Sequence, residues 1–211
     1  MKIKNVDYET INRTLKGSIK RAAYPMTTET PPEIYKPPLT DEEIDRAKRL
    51  AKKDSGHNNY LKGIIVQFDL CYTQYHTPQL QRYNWIDIVS SQSKMHRIHK
   101  MELEKCCNYY VHPVIIGVCK QFINLYNSDK PINTLTTHVI AGKEYQFIDK
   151  KDLYMHIISC IPLGFQLWMG ITTNYLQLRT IYKQRNKHKL EDWSDFCVWI
   201  ESLPMSNLIT E

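Results

Sequence analysis

The stretch Leu61-Lys62-Gly63-Ile64-Ile65-Val66-Gln67-Phe68-Asp69-Leu70 decides the fold class. Ile64, Val66, Phe68 and Leu70 share one side of a period-two pattern, with Ile65, Gln67 and Asp69 between them, so the segment reads as a strand with one face on a core. Around it the chain reads mostly as helix. Thr40-Asp41-Glu42-Glu43 is a capping box, in which the Thr40 hydroxyl takes the free Glu43 N–H and Glu43 reaches back. Ile44, Ala47, Leu50 and Ala51 continue it as an apolar stripe, with Gly56 as the expected stop. From Leu153 to Leu203 the spacing is helical, with Leu178, Ile181 and Tyr182 on one face and Trp193, Phe196, Cys197, Ile200 and Leu203 on another. A strand among helices predicts an α+β fold, mainly helical, with a central antiparallel or mixed sheet.

The other segments add detail. Ile11, Leu15 and Ile19 give the first 24 residues a helical spacing. Five prolines between Pro25 and Pro38 exclude regular helix and disfavour a central strand, so this is an extended arm or loop. Residues 72–96 are polar and aromatic without a clean period, the composition of a functional loop. Residues 102–126 read as helix with a break at Pro113, and a short strand or turn is expected around Gly142. The length of 211 residues predicts a single domain.

Composition narrows the functional classes. Hydrophobic residues make up 42% and charged residues 24%, enough for a sizeable core and far from a disordered chain. No apolar run approaches the length of a membrane span, and Met1 to Tyr8 has no apolar signal region, which predicts a soluble intracellular protein. The net charge of +6 comes from 28 bases interspersed with 22 acids. That balance suits an anionic partner without marking a nucleic-acid binder, and no DNA partner is expected. Cys71, Cys106, Cys107, Cys119, Cys160 and Cys197 include no Cys-x-x-Cys pair and are expected to be reduced and mostly buried.

There is no glycine-rich phosphate loop, nucleophile elbow or His-Glu-x-x-His motif. His96-x-x-His99 would place two imidazoles on one helical face, but no third ligand completes a metal site, and no metal is expected. His112, His138 and His156 read as structural, whereas His76 lies in the polar stretch. The basic run is more informative: Arg179, Lys183, Arg185, Lys187 and Lys189 precede the next acid at Glu191. Arg179 and Arg185 fall on different sides of a helix, so one side can meet solvent and another an anion. A solvated helix end, favoured by the helix dipole, accounts for the same run equally well.

Ile161-Pro162-Leu163, then Thr172, Asn174, Leu178 and Arg185, with Trp193 in the next helix, resemble the C-terminal signature of the flavin-dependent thymidylate synthases. Upstream, His57, the Val66-Gln67-Phe68 strand, Gln79 and Arg82 resemble that family's histidine, its Phe-containing strand and the lead-in to its Arg-His-Arg signature. The resemblance covers roughly residues 57–96 and 155–200. It implies the family's α+β fold, a homotetramer with sites shared between subunits, and a nucleotide site. The residues it and the basic, aromatic composition suggest for that site are Arg185, Asn174, Arg82, Gln79, His57, Arg179, Tyr83 and Ser93.

The chain also departs from the family. The signature Arg-His-Arg-x-x-Ser-x-Asn-x-x-Ser-x-Arg becomes Arg82-Tyr83-Asn84, then Asp87, Val89, Gln92 and Lys94, with Ser90, Ser91 and Ser93 nearby. Two further family arginines become Trp168 and Leu176. Each lost charge-assisted contact costs about 1.5–3 kcal/mol, so flavin and deoxyuridylate binding in the family's mode is not expected. No catalytic residue and no cofactor are expected, with FAD only if the chain is an active enzyme. The segments 39–61 and Ser93-Lys94-Met95-His96-Arg97-Ile98-His99, and the Trp193-to-Pro204 tail, resemble a group of bacteriophage and prophage proteins. That likeness implies a viral source and the cytoplasm of a bacterial host.

Three functions are therefore open. The first is a non-catalytic nucleotide-binding protein that sequesters a nucleotide signal of host defence, cyclic or not. Its aromatic residues between 72 and 85 would stack a base. The second is an active flavin enzyme methylating a pyrimidine nucleotide, and the third an inert structural or interaction protein.

Overall fold

The alternation at 61–70 is realised, displaced toward the C-terminus. In the computed structural model, which describes residues 1–23, 33–53 and 55–211, a 3-10 turn occupies Asn59–Gly63, and the strand runs from Ile65 to Thr73. Leu61 is buried from the turn rather than from the strand. In chain order the first elements are β1 (Lys2–Lys4), α1 (Tyr8–Ala22), α2 (Asp41–Lys52), β2 (Ile65–Thr73), α3 (Thr77–Leu80), β3 (Asp87–Ser91), α4 (Lys94–Arg97) and α5 (Leu103–Cys106). They are followed by α6 (Pro113–Tyr126), β4 (His138–Ile140), β5 (Lys143–Tyr145), α7 (Lys150–Cys160), β6 (Gln166–Asn174), α8 (Tyr175–Arg185), α9 (Glu191–Glu201) and α10 (Asn207–Thr210). The fold is α+β, as expected.

Two compact units are present. One comprises Met1–Cys71, Leu80–Ser90 and Met169–Glu211, and the other Tyr72–Gln79 and Ser91–Trp168. A four-stranded sheet has the order β1-β2-β6-β3. β1 pairs antiparallel to β2 in the register Lys2↔Cys71, Ile3↔Leu70, Lys4↔Asp69. Tyr175 N–H, just after β6, donates to Ile64 O, just before β2, and Thr173 on β6 bonds Trp85 O ahead of β3. β6 is therefore antiparallel to both its neighbours.

β6 is where the helical reading of 153–203 fails. Leu167, Met169, Gly170, Ile171, Thr173 and Asn174 are all buried, so a strand in mid-sheet lacks the polar alternation that marks a half-exposed one. Leu167 and Met169 also have good helix propensity. Tertiary pairing overrides it. Gly170 sits where a Cβ would come 2.8 Å from Ser90 Oγ on β3, so its lack of a side chain admits the neighbouring strand.

The first unit's core joins α1, β2, α8 and α9. Ile11, Ile19, Val66, Phe68, Leu178, Ile181, Trp193, Phe196 and Ile200 are buried, and Phe196 meets Trp193 edge-on at 5.9 Å. The Thr40 capping box forms in full: Glu43 N–H donates to Thr40 Oγ1 at 3.2 Å, and Thr40 N–H to Glu43 Oε2 at 2.9 Å. α2 nevertheless ends at Lys52, and Gly56 takes a positive φ of 87° in the following turn rather than capping the helix. Of the proline-rich arm at 25–38, residues 25–32 lie outside the described residues, and Glu33 to Pro38 form neither helix nor strand.

The second unit's core gathers Phe122 from α6, Leu153 and Ile157 from α7, and Phe147 and Phe165. Pro113 opens α6 at its first turn, where it displaces no helical hydrogen bond. Around Gly142 lies the hairpin β4–β5, whose two loop residues Ala141 and Gly142 both have positive φ (52° and 79°), the handedness that suits strand twist. None of the six cysteines is in a disulfide. Cys71, Cys119 and Cys197 are buried, whereas Cys106, Cys107 and Cys160 are half-buried. Burial pushes the Cys107, Cys119 and Cys197 thiols up to about 11, away from the thiolate form that redox chemistry needs.

Candidate functional site

α8 builds the site. Asn174, the last residue of β6, caps the helix by accepting Gln177 N–H at 2.9 Å, which sets the helical phase. Leu178 and Ile181 of that helix are buried in the core, while Gln177, Thr180, Gln184 and, at its last turn, Arg185 line a pocket. Arg82, Tyr83 and Asn84, from the segment between α3 and β3, complete the lining. The pocket has a volume of about 480 Å³, within the usual range for small-molecule sites. Among its lining residues are two guanidinium groups and no carboxylate.

Arg185 is held firmly. Its Nε donates to Tyr83 Oη at 2.8 Å, and its guanidinium carbon lies 4.8 Å from the Trp193 ring centre. Tyr83 Oη in turn donates to Gln184 Oε1 at 3.0 Å, and the Tyr83 ring meets Trp193 edge-on at 6.2 Å. Behind them, His188 lies edge-on to Trp193 and accepts Leu190 N–H on Nδ1 at 3.2 Å. Burial, then the charges of Arg185 and Lys189, hold its imidazole below the ordinary histidine value.

A slightly larger pocket in the second unit, about 510 Å³, is lined by His99, Lys105, Lys120, Glu102 and Glu104 among others. Its charges are largely neutralised in place: Lys105 pairs with Glu102 at 2.6 Å and Lys120 with Glu104 at 2.5 Å. The uncompensated arginines make the Arg82–Arg185 pocket the better anion site.

Three of the eight residues suggested by sequence meet there: Arg82, Tyr83 and Arg185. Asn174 is 5% exposed, with its carbonyl oxygen engaged as the helix cap. Arg179 points away. It is 3% exposed and donates to the main-chain oxygens of Leu208, Ile209 and Glu211 at 3.1, 3.2 and 3.0 Å, so it ties down the C-terminal segment and does not face the pocket. His57 is exposed on the turn before the 3-10 segment and does not line the pocket. Gln79, in α3, and Ser93, at the N-cap position of α4, belong to the second unit. His96 is exposed on α4, which ends at Arg97, while His99 lies in the next 3-10 turn against Tyr126 and Tyr154. Among the described residues no group of three His, Cys, Asp or Glu side chains is placed to hold a metal ion, and no helix is long and apolar enough to cross a membrane.

Sequence reasoning missed Gln177, Thr180, Gln184 and Asn84. Gln177, Thr180 and Gln184 fall on one helical face at i, i+3 and i+7, and that spacing was the available signal. Asn84 adjoins Tyr83 but carries no pattern of its own.

No protein-family model matches the chain, and no curated protein matches it by sequence. Solved structures do. A crystal structure of the flavin-dependent thymidylate synthase ThyX from Helicobacter pylori, complexed with FAD and dUMP, matches with a TM-score of 0.63 at 10% identity. A second structure of thymidylate synthase X from Helicobacter pylori with FAD and dUMP gives 0.62 at 11%. Each match covers 100% of this chain and 97% of the other. At such low identity the likeness establishes a thymidylate-synthase-like scaffold, the fold that the sequence resemblance implied.

Proposed function

We propose that the protein binds a nucleotide on this scaffold, through the Arg82–Arg185 pocket, without catalysing a reaction on it. The observation that carries the reading is the pairing of two guanidinium groups with no lining carboxylate, beside amide side chains able to read a base. The scaffold supports it as well, since the similar Helicobacter pylori enzymes are complexed with dUMP. A use consistent with the bacteriophage resemblance is sequestration of a nucleotide signal, cyclic or linear, of a bacterial host's antiviral defence. The homotetramer implied by the family resemblance is part of the same proposal.

The Helicobacter pylori enzymes are also complexed with FAD, and the residues here do not suit a flavin diphosphate in that signature region. Asp87 is an exposed acid, and Gln92 closes a strand pair, its side-chain Oε1 accepting Trp168 N–H at 3.1 Å and its main-chain N–H donating to Trp168 O at 3.0 Å. Lys94, the one cation from 85 to 96, donates to Gln74 Oε1 at 3.2 Å.

The visible spectrum of freshly purified protein, followed by mass spectrometry of what heat denaturation releases, tests the reading. A colourless protein that releases a nucleotide supports it. A flavin spectrum would favour the enzyme instead. Arg185→Ala is expected to weaken nucleotide binding about tenfold or more with little change in melting temperature. Unchanged affinity for every nucleotide tried would leave the inert scaffold.

A further inference from the structure

A surface arginine on a free helix face samples many rotamers, and fixing it on ligand arrival costs affinity. Arg185 is fixed beforehand. The proton of Tyr83 Oη goes to Gln184 Oε1, which leaves the phenol oxygen's lone pairs for Arg185 Nε. Tyr83 is only 8% exposed and packs edge-on against the fully buried Trp193, so this acceptor, on the pocket wall, is anchored to the core. Trp193 also supports the guanidinium face. With Nε engaged, Nη1 and Nη2 of Arg185 have no hydrogen-bond partner among the described residues, and they form the edge left for a ligand.

We propose that Tyr83 is a positioning residue for Arg185: it locks the guanidinium so that its Nη1–Nη2 edge meets two oxygens of a ligand phosphate. The inference rests on the nucleotide reading above, and it gives Tyr83 a role other than stacking a base. A lysine cannot replace Arg185 in this arrangement, because an ammonium has neither a planar fork nor an Nε to latch.

The test has two arms. In ligand-free protein labelled with nitrogen-15, the Arg185 Nε–H correlation is expected to be sharp and slow to exchange with water, and to be lost in Tyr83→Phe. Titration calorimetry with dUMP and with a cyclic dinucleotide then compares wild type, Tyr83→Phe, Arg185→Ala and the double variant. Tyr83→Phe keeps the ring, and its melting temperature is expected to fall by about 2–6 °C, which leaves it folded at the assay temperature. Its affinity for whichever probe binds is expected to fall about fivefold to tenfold, and the double variant to be no weaker than Arg185→Ala alone. An unchanged Nε–H signal in Tyr83→Phe overturns the latch. Wild-type affinity in Tyr83→Phe alongside lost binding in Arg185→Ala overturns the positioning role and leaves the nucleotide reading standing. Equal affinity of wild type and Arg185→Ala for both probes, or binding of neither, overturns the inference together with its premise.

Discussion

Replacing Arg179 with alanine separates its anchoring role from ligand binding. The guanidinium is 3% exposed and donates to three main-chain oxygens near the C-terminus, while its Nε has no hydrogen-bond partner among the described residues. Each charged hydrogen bond contributes about 1.5 kcal/mol or more, and removal strands carbonyls that water reaches poorly. Loss of the unpartnered Nε returns about 1–2 kcal/mol, because that group is already desolvated without compensation. The net cost of Arg179→Ala is then about 3 kcal/mol. For a chain of this length it lowers the melting temperature by about 6–12 °C. Differential scanning calorimetry measures the shift, and hydrogen exchange should show early opening of α10 and the adjoining end of α8. Because Arg179 faces away from the pocket, nucleotide affinity measured well below the new transition should be unchanged. A shift under about 2 °C, or lost affinity in a fully folded variant, would refute the reasoning.

Two further predictions concern the same unit. Thr40→Ala removes the side-chain half of the capping box and should cost about 1 kcal/mol, lowering the melting temperature by about 2–4 °C, whereas Thr40→Ser should nearly restore it. His188 is held below its ordinary value, so as pH falls through about 6.5 the unfolded chain takes up a proton before the folded protein does. Stability should therefore be complete above that pH and decline below it. Urea denaturation at pH 7.5 and 5.5 should show a smaller decline for His188→Gln; equal declines in the two proteins would contradict the assignment.

Much of the fold was legible because local rules and tertiary context agree in most places. The Thr40 box, the Pro113 break, the Gly142 turn and the core faces of α8 and α9 depend on backbone hydrogen bonding and periodicity within a few residues. The β2 strand was read about three residues early, because Leu61 and Ile64 are as buried in the 3-10 turn and its exit as strand residues are. β6 carries no strand signal of its own, and the exposed edge strand β3 has the polar composition of a loop, since its identity depends on β6 beside it.

The sequence by itself determined the α+β class, the scaffold likeness and the presence of Arg82, Tyr83 and Arg185 as candidates, since composition, periodicity and motif order are properties of the chain. Only tertiary structure decided which arginine faces a pocket. Arg179 and Arg185 stand six residues apart on one helix, and the sequence offers both as cations in the same basic run. Helical phase, fixed by the Asn174 cap and the burial of Leu178 and Ile181, sends Arg179 to the C-terminal carbonyls and Arg185 to Tyr83 and Trp193. Apart from Trp193, in the next helix, those partners lie 29 to 102 residues away along the chain, beyond the reach of any local pattern.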